Sequence, residues 1–281
     1  MVYFIYSSII FVAGLVVGSF LNVVIYRLEN GEEIINDRSR CLHCKHILAW
    51  YDLIPILSFI FLKGKCRYCK KKISWQYPLV ELGTGILFIM IWNFEFGILN
   101  LESIFNFQYL IAILYLLFIT SFLIVIFVYD LKYYIIPNKV IYPAIIMALG
   151  FNLFNDLISN DNFQLISQFT IHNSQFVDNL FAAIIASGFF LSVVIITKGK
   201  GMGGGDVKLA FLMGLILGWP LIIFSVFLAF ISGSIIGTYM ILTGKKKMKS
   251  MIPFGPFLIF GTFVGLFWGE RVMEWYLNFL M

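Results

Sequence analysis

The stretch Y-L-I-A-I-L-Y-L-L-F-I-T-S-F-L-I-V-I-F-V-Y-D-L-K-Y-Y-I-I-P-N (109–138) runs through 21 residues without a charge, a glycine or a proline before it meets Asp130. About 20 apolar residues are what an α-helix needs to cross the hydrocarbon core of a bilayer. Residues 109–129 therefore read as a spanning helix with a carboxylate at its end. Pro137 and Asn138 mark a turn or helix start that sends the chain straight back into the membrane. Working outward, the same criterion predicts eight spans, at 4–26, 78–93, 109–129, 135–154, 178–197, 207–219, 221–242 and 252–268, the sixth short and interrupted by glycine. Composition agrees. The 281 residues are 60% hydrophobic and 12% charged, with mean hydropathy +0.92, whereas a soluble domain carries roughly 25% charged residues. The predicted class is an all-α polytopic membrane protein with a small cytoplasmic loop domain after its first helix. Its first partner is the lipid bilayer, and no segment reads as a nucleic-acid binder. The first span lacks a basic n-region and passes through Gly18, Ser19 and Asn22 to Arg27 without a cleavage signal, so it is expected to be permanent.

With eight spans the loops alternate, and nineteen of the twenty Lys and Arg residues fall on one side. They lie in 27–77, at Lys132 and Lys139, at Lys198, Lys200 and Lys208, and at Lys245, Lys246, Lys247 and Lys249; only Arg271 falls opposite. The opposite loops carry Glu95, Glu102, Asp156 and Asp161 with no basic residue. Such asymmetry marks the cytoplasmic face and predicts both termini outside.

All four cysteines lie in the first cytoplasmic loop, Cys41 and Cys44 in C-L-H-C and Cys66 and Cys69 in C-R-Y-C. Two residues between thiols let both grip one ion from a tight turn, and four thiolates suit tetrahedral Zn²⁺. A reducing compartment disfavours disulfides; a redox dithiol is the alternative. Four protein ligands leave no open position for water, so the metal reads as structural, with His43 and His46 as bystanders. The apolar segment A-W-Y-D-L-I-P-I-L-S-F-I-F-L (49–62) is expected to lie as a helix in the membrane interface.

Ionisable groups at the edge of an apolar span are costly and are functional candidates by default. Glu81, Asp130 and Asp206 are three such groups. Asp206 follows G-M-G-G-G (201–205), a run suited to a sharp bend or to close approach of another chain. Singly, each aspartate reads as well as a helix cap, and Glu81 as a buried hydrogen-bonding partner. Together, Asp130 and Asp206 on one membrane face can share a proton. One carboxylate then takes a proton from water and the other donates to a peptide carbonyl. Lys132 and Lys208 stand two residues beyond an aspartate, the wrong spacing for a same-face pair, and are assigned to lipid phosphates or substrate. Glu29, Glu32, Glu33 and Asp37 form an acidic segment, read as a solvated turn or as a contact for a basic peptide.

Several blocks in order resemble the bacterial type IV prepilin peptidases, membrane aspartic peptidases of the G-x-G-D type. They are G-S-F-L-N-V-V-I-Y-R-L (18–28), the two C-x-x-C pairs flanking L-A-W-Y-D-L-I-P-I-L-S, I-S-W-Q-Y-P-L-V-E-L (73–82), Asp130 with L-K-Y-Y-I-I-P-N, G-x-G-D at 203–206, and P-F-G-P-F (253–257). Leu42 departs from the proline that many relatives carry in the first knuckle. The resemblance implies that Asp130 and Asp206 are the catalytic pair, with Gly203 and Gly205 shaping the loop beside them and Glu81 as a further shaping residue. It implies cleavage of the basic leader from prepilins or pseudopilins at the cytoplasmic face of a bacterial plasma membrane. It also implies N-methylation of the new terminus with S-adenosylmethionine. On that footing residues 1–77 form a methylation-associated region and 78–281 the peptidase core. A proton-coupled transporter using the same carboxylates is the competing class; the inverted repeat it would carry is not visible.

Overall fold

The computed structural model describes residues 2–33, 38–98, 107–158, 174–199, 201–244 and 251–280. Asp37, Glu102, Asp161, Lys200 and the lysines of 245–249 lie outside them. The described residues form nine α-helices and no strand: α1 (Val2–Asn30), α2 (Leu57–Phe61), α3 (Gln76–Ile98), α4 (Phe107–Tyr133), α5 (Asn138–Ile158), α6 (Gln175–Ile196), α7 (Gly204–Leu217), α8 (Leu221–Leu242) and α9 (Gly255–Leu280). All but α2 fall on the eight predicted spans. Six of them, α1, α3, α4, α5, α6 and α8, are long and apolar enough to cross a membrane, so this is a multi-pass membrane protein. The segment 49–62 forms less helix than the apolar run suggested. It makes a 3₁₀ turn at Trp50–Asp52 and the five-residue α2, separated by Pro55 and by Ile56 at φ 60°.

The chain divides into two compact units, Met1–Val125 and Ile126–Met281. In the first, α1 packs along α3. Gly14 and Gly18 are spaced as in the small-xxx-small motif that lets membrane helices approach closely. A Cβ on Gly18 would stand 2.7 Å from the Glu81 Cα, and one on Gly14 2.8 Å from the Gly85 Cα. Hydrocarbon offers no hydrogen bonds, so polar groups at this depth must be satisfied within the protein. Asn22 is buried, donates to the Tyr77 carbonyl at 3.1 Å and accepts from Gln76 Nε2 at 3.3 Å. That tie fixes where α3 begins.

The second unit is built around α7. Its 14 residues span about 21 Å, too little for a hydrocarbon core of about 30 Å. A helix so short is stable here because it meets protein on every side: α5, α6, α8 and α9 all pack on it, and the continuous run Leu212–Leu217 is buried. Gly218, at φ 66°, ends the helix and donates to the Gly214 carbonyl at 2.9 Å. One orphan carbonyl of the last turn, that of Leu215, accepts from Asn152 Nδ2 at 2.9 Å, while Asn179 donates to Asn152 Oδ1 at 2.6 Å. This buried amide pair ties α5, α6 and the end of α7 together. At the opposite side Phe190, Phe230, Phe254 and Phe257 form a ring cluster with centroids 5.1–6.2 Å apart. It anchors the chain just before α9.

At Gly214, α7 touches the α6 backbone at Ala183 so closely that any Cβ would overlap it. Gly214→Val is therefore expected to lower the unfolding midpoint in detergent, with a cost of about 1–3 kcal/mol or more from overpacking. Gly188→Ala on the open face of α6, where nothing lies within 4 Å, should be neutral or slightly stabilising. Equal midpoints for the two variants would refute the close-packed α6–α7 seam.

Candidate active site and metal centre

α4 ends just beyond Asp130. Tyr134 adopts φ 58° and donates its N–H to the Asp130 carbonyl at 2.9 Å. The chain doubles back there, and Pro137 accepts the first bonds of α5. The turn leaves Ile135 exposed and buries Ile136. Asp130 is buried, and its Oδ2 accepts from the N–H of Gly255, the first residue of α9, at 3.1 Å. Asp206 is buried in the first turn of α7, and its Oδ2 accepts from the Gly203 N–H at 3.1 Å. Both carboxylates thus rest on a backbone amide at a helix start, where the helix dipole favours negative charge. For Asp206 that start belongs to its own helix. For Asp130 it belongs to a helix 125 residues further along the chain.

The two aspartates lie close enough to act on one another electrostatically, and the glycines explain the fit. A Cβ on Gly205 would stand 3.0 Å from the Ile136 Cβ; one on Gly255 would stand 2.6 Å from Asp130 Oδ2 and 3.5 Å from the Ile136 Cδ1. The Ile136 side chain is thereby flanked by both glycine-bearing turns. Gly203 serves as amide donor and Gly205 as the close approach. Sequence reasoning did not single out Gly255, although a glycine between two prolines in P-F-G-P-F was the available signal. An apolar groove of about 600 Å³ lies between the end of α4, α8 and the start of α9, lined among others by Phe127, Leu131, Ile235, Ile252 and Phe257.

Lys208 has a partner within the protein. Its Nζ donates to Asn138 Oδ1 at 2.7 Å and lies 4.8 Å from the Tyr142 ring centroid, clamping the start of α7 to the start of α5. Lys132 sits over the Tyr133 ring at 5.5 Å. Glu81 belongs to the first unit, where its Oε2 accepts from the Ile56 N–H at 2.8 Å and holds the strained residue before α2.

The two C-x-x-C segments fold as near copies. In the first, Lys45 donates to the Cys41 carbonyl at 2.9 Å and Cys41 to the His46 carbonyl at 2.9 Å; in the second, Lys70 donates to Cys66 at 3.0 Å and Cys66 to Lys71 at 2.9 Å. Lys45 and Lys70 both take φ 59°, and an antiparallel bridge closes each knuckle. The four Sγ atoms lie within 4.8 Å of one another, with Cys41 and Cys69 at 3.9 Å. A tetrahedral ion with bonds of about 2.3 Å places its sulfurs about 3.8 Å apart, so the donor set can hold a metal. Charge argues the same way. Burial pushes the Cys41 thiol up, yet the amides of Cys44 and His43 outweigh it and bring it down to about 7. At Cys44 the His46 amide pulls down, but burial and the neighbouring Cys41 and Cys69 sulfurs drive the thiol up to about 11. Four adjacent thiolates need a cation to coexist.

His46 lies outside the four-cysteine group and packs its ring on Tyr68, with centroids 3.7 Å apart and planes tilted by 37°. Asp52 ties the 3₁₀ turn to the second knuckle, accepting from Arg67 Nε at 2.7 Å, Tyr68 Oη at 3.1 Å and the Ala49 N–H at 3.3 Å. Burial raises this carboxyl, but those three donors outweigh burial and hold it below its ordinary value. In the acidic segment Glu32 pairs with Arg40 at 2.9 Å, and the Glu33 carbonyl accepts from Arg27 at 3.2 Å. The segment is thus fastened to the loop's own arginines.

Known proteins carry the same two parts in the same order. The bacterial peptidase A24 N-terminal domain matches residues 12–94, and the type IV leader peptidase family matches residues 117–238. A prepilin leader peptidase/N-methyltransferase of Bacillus subtilis is 31% identical, covering 96% of this chain and 98% of its own. One of Stutzerimonas stutzeri is 30% identical over 95% and 92%, and one of Pseudomonas aeruginosa 29% over 95% and 91%. No solved structure matches the chain. The aspartate pair, the cysteine knuckles and these full-length likenesses converge: the chain belongs to the type IV leader peptidase family.

Proposed function

We propose that this protein cleaves the short basic leader from prepilins or pseudopilins with Asp130 and Asp206 as its catalytic pair, and then N-methylates the freed terminus. The carrying observation is that each carboxylate is held by a single glycine amide, Gly255 for Asp130 and Gly203 for Asp206, on either side of Ile136. A dyad needs one carboxylate ionised and one protonated, and one donor each leaves lone pairs for water and for a shared proton. The ionised aspartate takes a proton from the attacking water. The protonated one donates to the scissile carbonyl, and the proton then passes to the leaving amine as the tetrahedral carbon collapses. The apolar groove at the end of α4 suits the hydrophobic helix that follows the scissile bond of such a substrate. The basic-residue asymmetry favours a cytoplasmic site with both termini outside, in a bacterial plasma membrane.

Residues 1–77 form the methylation-associated region and 78–281 the peptidase core. Cys41, Cys44, Cys66 and Cys69 hold a structural zinc ion that folds the loop. S-adenosylmethionine supplies an electrophilic methyl group for the new N-terminal amine.

Asp130→Asn and Asp206→Asn should each lower cleavage of a purified prepilin by about a thousandfold or more, with the helix content of the protein unchanged. Gly255→Ala, which touches no carboxylate in sequence, should lose activity nearly as far because its Cβ meets Asp130 Oδ2. Wild-type turnover by either Asn variant would remove the pair from the mechanism. Serine at all four cysteines should abolish bound zinc, expected at one ion per chain in the wild type by metal analysis. Methyl transfer should fall with the zinc while leader cleavage persists. Undiminished zinc in the quadruple variant would overturn the metal assignment.

A further inference from the structure

The first unit contains a cavity of about 430 Å³, within the size range of small-ligand sites. Its walls come from the inner face of α1, the start of α3 and the two cysteine knuckles, whose buried members Cys41 and Cys66 line it. We infer that this cavity binds the methyl donor S-adenosylmethionine, with the Glu81 carboxylate facing its positive sulfonium centre. The inference rests on the methyltransferase reading and names the site that reading lacks.

The chemistry of the walls matches the three parts of a sulfonium nucleoside. Tyr26, Phe59 and Tyr77 supply flat apolar surfaces for a purine. Lys71 and Lys72 stand exposed at the rim, suited to a carboxylate. Glu81, 7% exposed, is a buried carboxylate on the wall. Its Oε2 accepts from the Ile56 N–H, and the Ser19 hydroxyl donates to the same carboxylate; a carboxylate offers about four acceptor sites, so capacity remains toward the cavity. A cation placed there keeps the carboxylate ionised, and the ionised carboxylate in turn discriminates a sulfonium from the neutral thioether left after transfer. Arg27, Arg38, Arg40 and Arg67 also line the cavity and add positive charge for the ligand's carboxylate.

Purified full-length enzyme in detergent is titrated calorimetrically with S-adenosylhomocysteine, the neutral thioether, and with sinefungin, its cationic analogue. In parallel it is irradiated with methyl-labelled S-adenosylmethionine, and the label is mapped by peptide. The cross-link should fall within 19–32, 38–53 or 58–81. Val23→Trp and Ser74→Trp, which place an indole in the cavity, should bind both ligands about tenfold more weakly or worse. Glu81→Gln should lose about tenfold in preference for the cation while keeping its affinity for the thioether. Retained zinc reports a folded loop in each variant. Label elsewhere, wild-type affinity in both tryptophan variants, or an equal loss for both ligands in Glu81→Gln overturns the assignment. Wild-type enzyme that methylates cleaved pilin while the cavity variants bind normally removes the site alone. Wild-type enzyme that binds in the cavity but never transfers label removes the methyltransferase reading and leaves the nucleoside site.

Discussion

A carboxylate at the edge of a hydrocarbon layer has no water to rely on, so its environment is whatever donors the protein aims at it. This chain aims backbone amides from helix starts. Comparison of three aspartates shows what the number of donors does. Asp52 accepts from Arg67, Tyr68 and Ala49; three donors, one of them a cation, hold it ionised, and its work is to brace the loop. Asp130 and Asp206 have one amide each and lie within electrostatic reach of one another. A carboxylate with one donor is oriented while keeping lone pairs open, which suits the proton transfer proposed for the pair.

The amides are available because α7 is short. A full-length span would carry its first turn toward the membrane surface, whereas 14 residues enclosed by four other helices let that turn lie where α4 ends. The cost of a short helix is unsatisfied ends, and the protein covers both. Asp206 itself takes the Gly203 amide at the start, and Asn152 supplies a donor at the far end. The second asparagine, Asn179, then satisfies the Asn152 oxygen, so the buried polar pair is complete and costs little.

Much of this was legible in the sequence, and the boundary follows sequence separation. Long apolar runs, C-x-x-C pairs and a glycine run before an acid are local signals. They gave the eight helices, the clustered thiols and the turn at 203–206. The pairings that give the site its form are remote: Gly255 with Asp130, Asn152 with Asn179 and the Leu215 carbonyl, Glu81 with Ile56. No local pattern encodes those partners. Lys208 shows the same limit. Spacing excluded it from the dyad, but its partner Asn138 lies 70 residues away and only the folded helices bring them together. The apolar run at 49–62 failed as a long helix for a local reason, since Pro55 and the Ile56 turn divide it into a 3₁₀ turn and five helical residues.

The two reactions differ in what holds their sites together. The aspartates stand on helices whose packing is set by glycine contacts and apolar burial within the second unit. The cavity in the first unit is different, since Cys41 and Cys66 are part of its wall. A loop whose neighbouring thiols titrate near 7 and near 11 does not hold four thiolates side by side unless a cation joins them. If the proposed zinc holds that wall, methyl transfer depends on the metal while cleavage by the proposed aspartate pair does not, and zinc need contribute nothing to the chemistry itself.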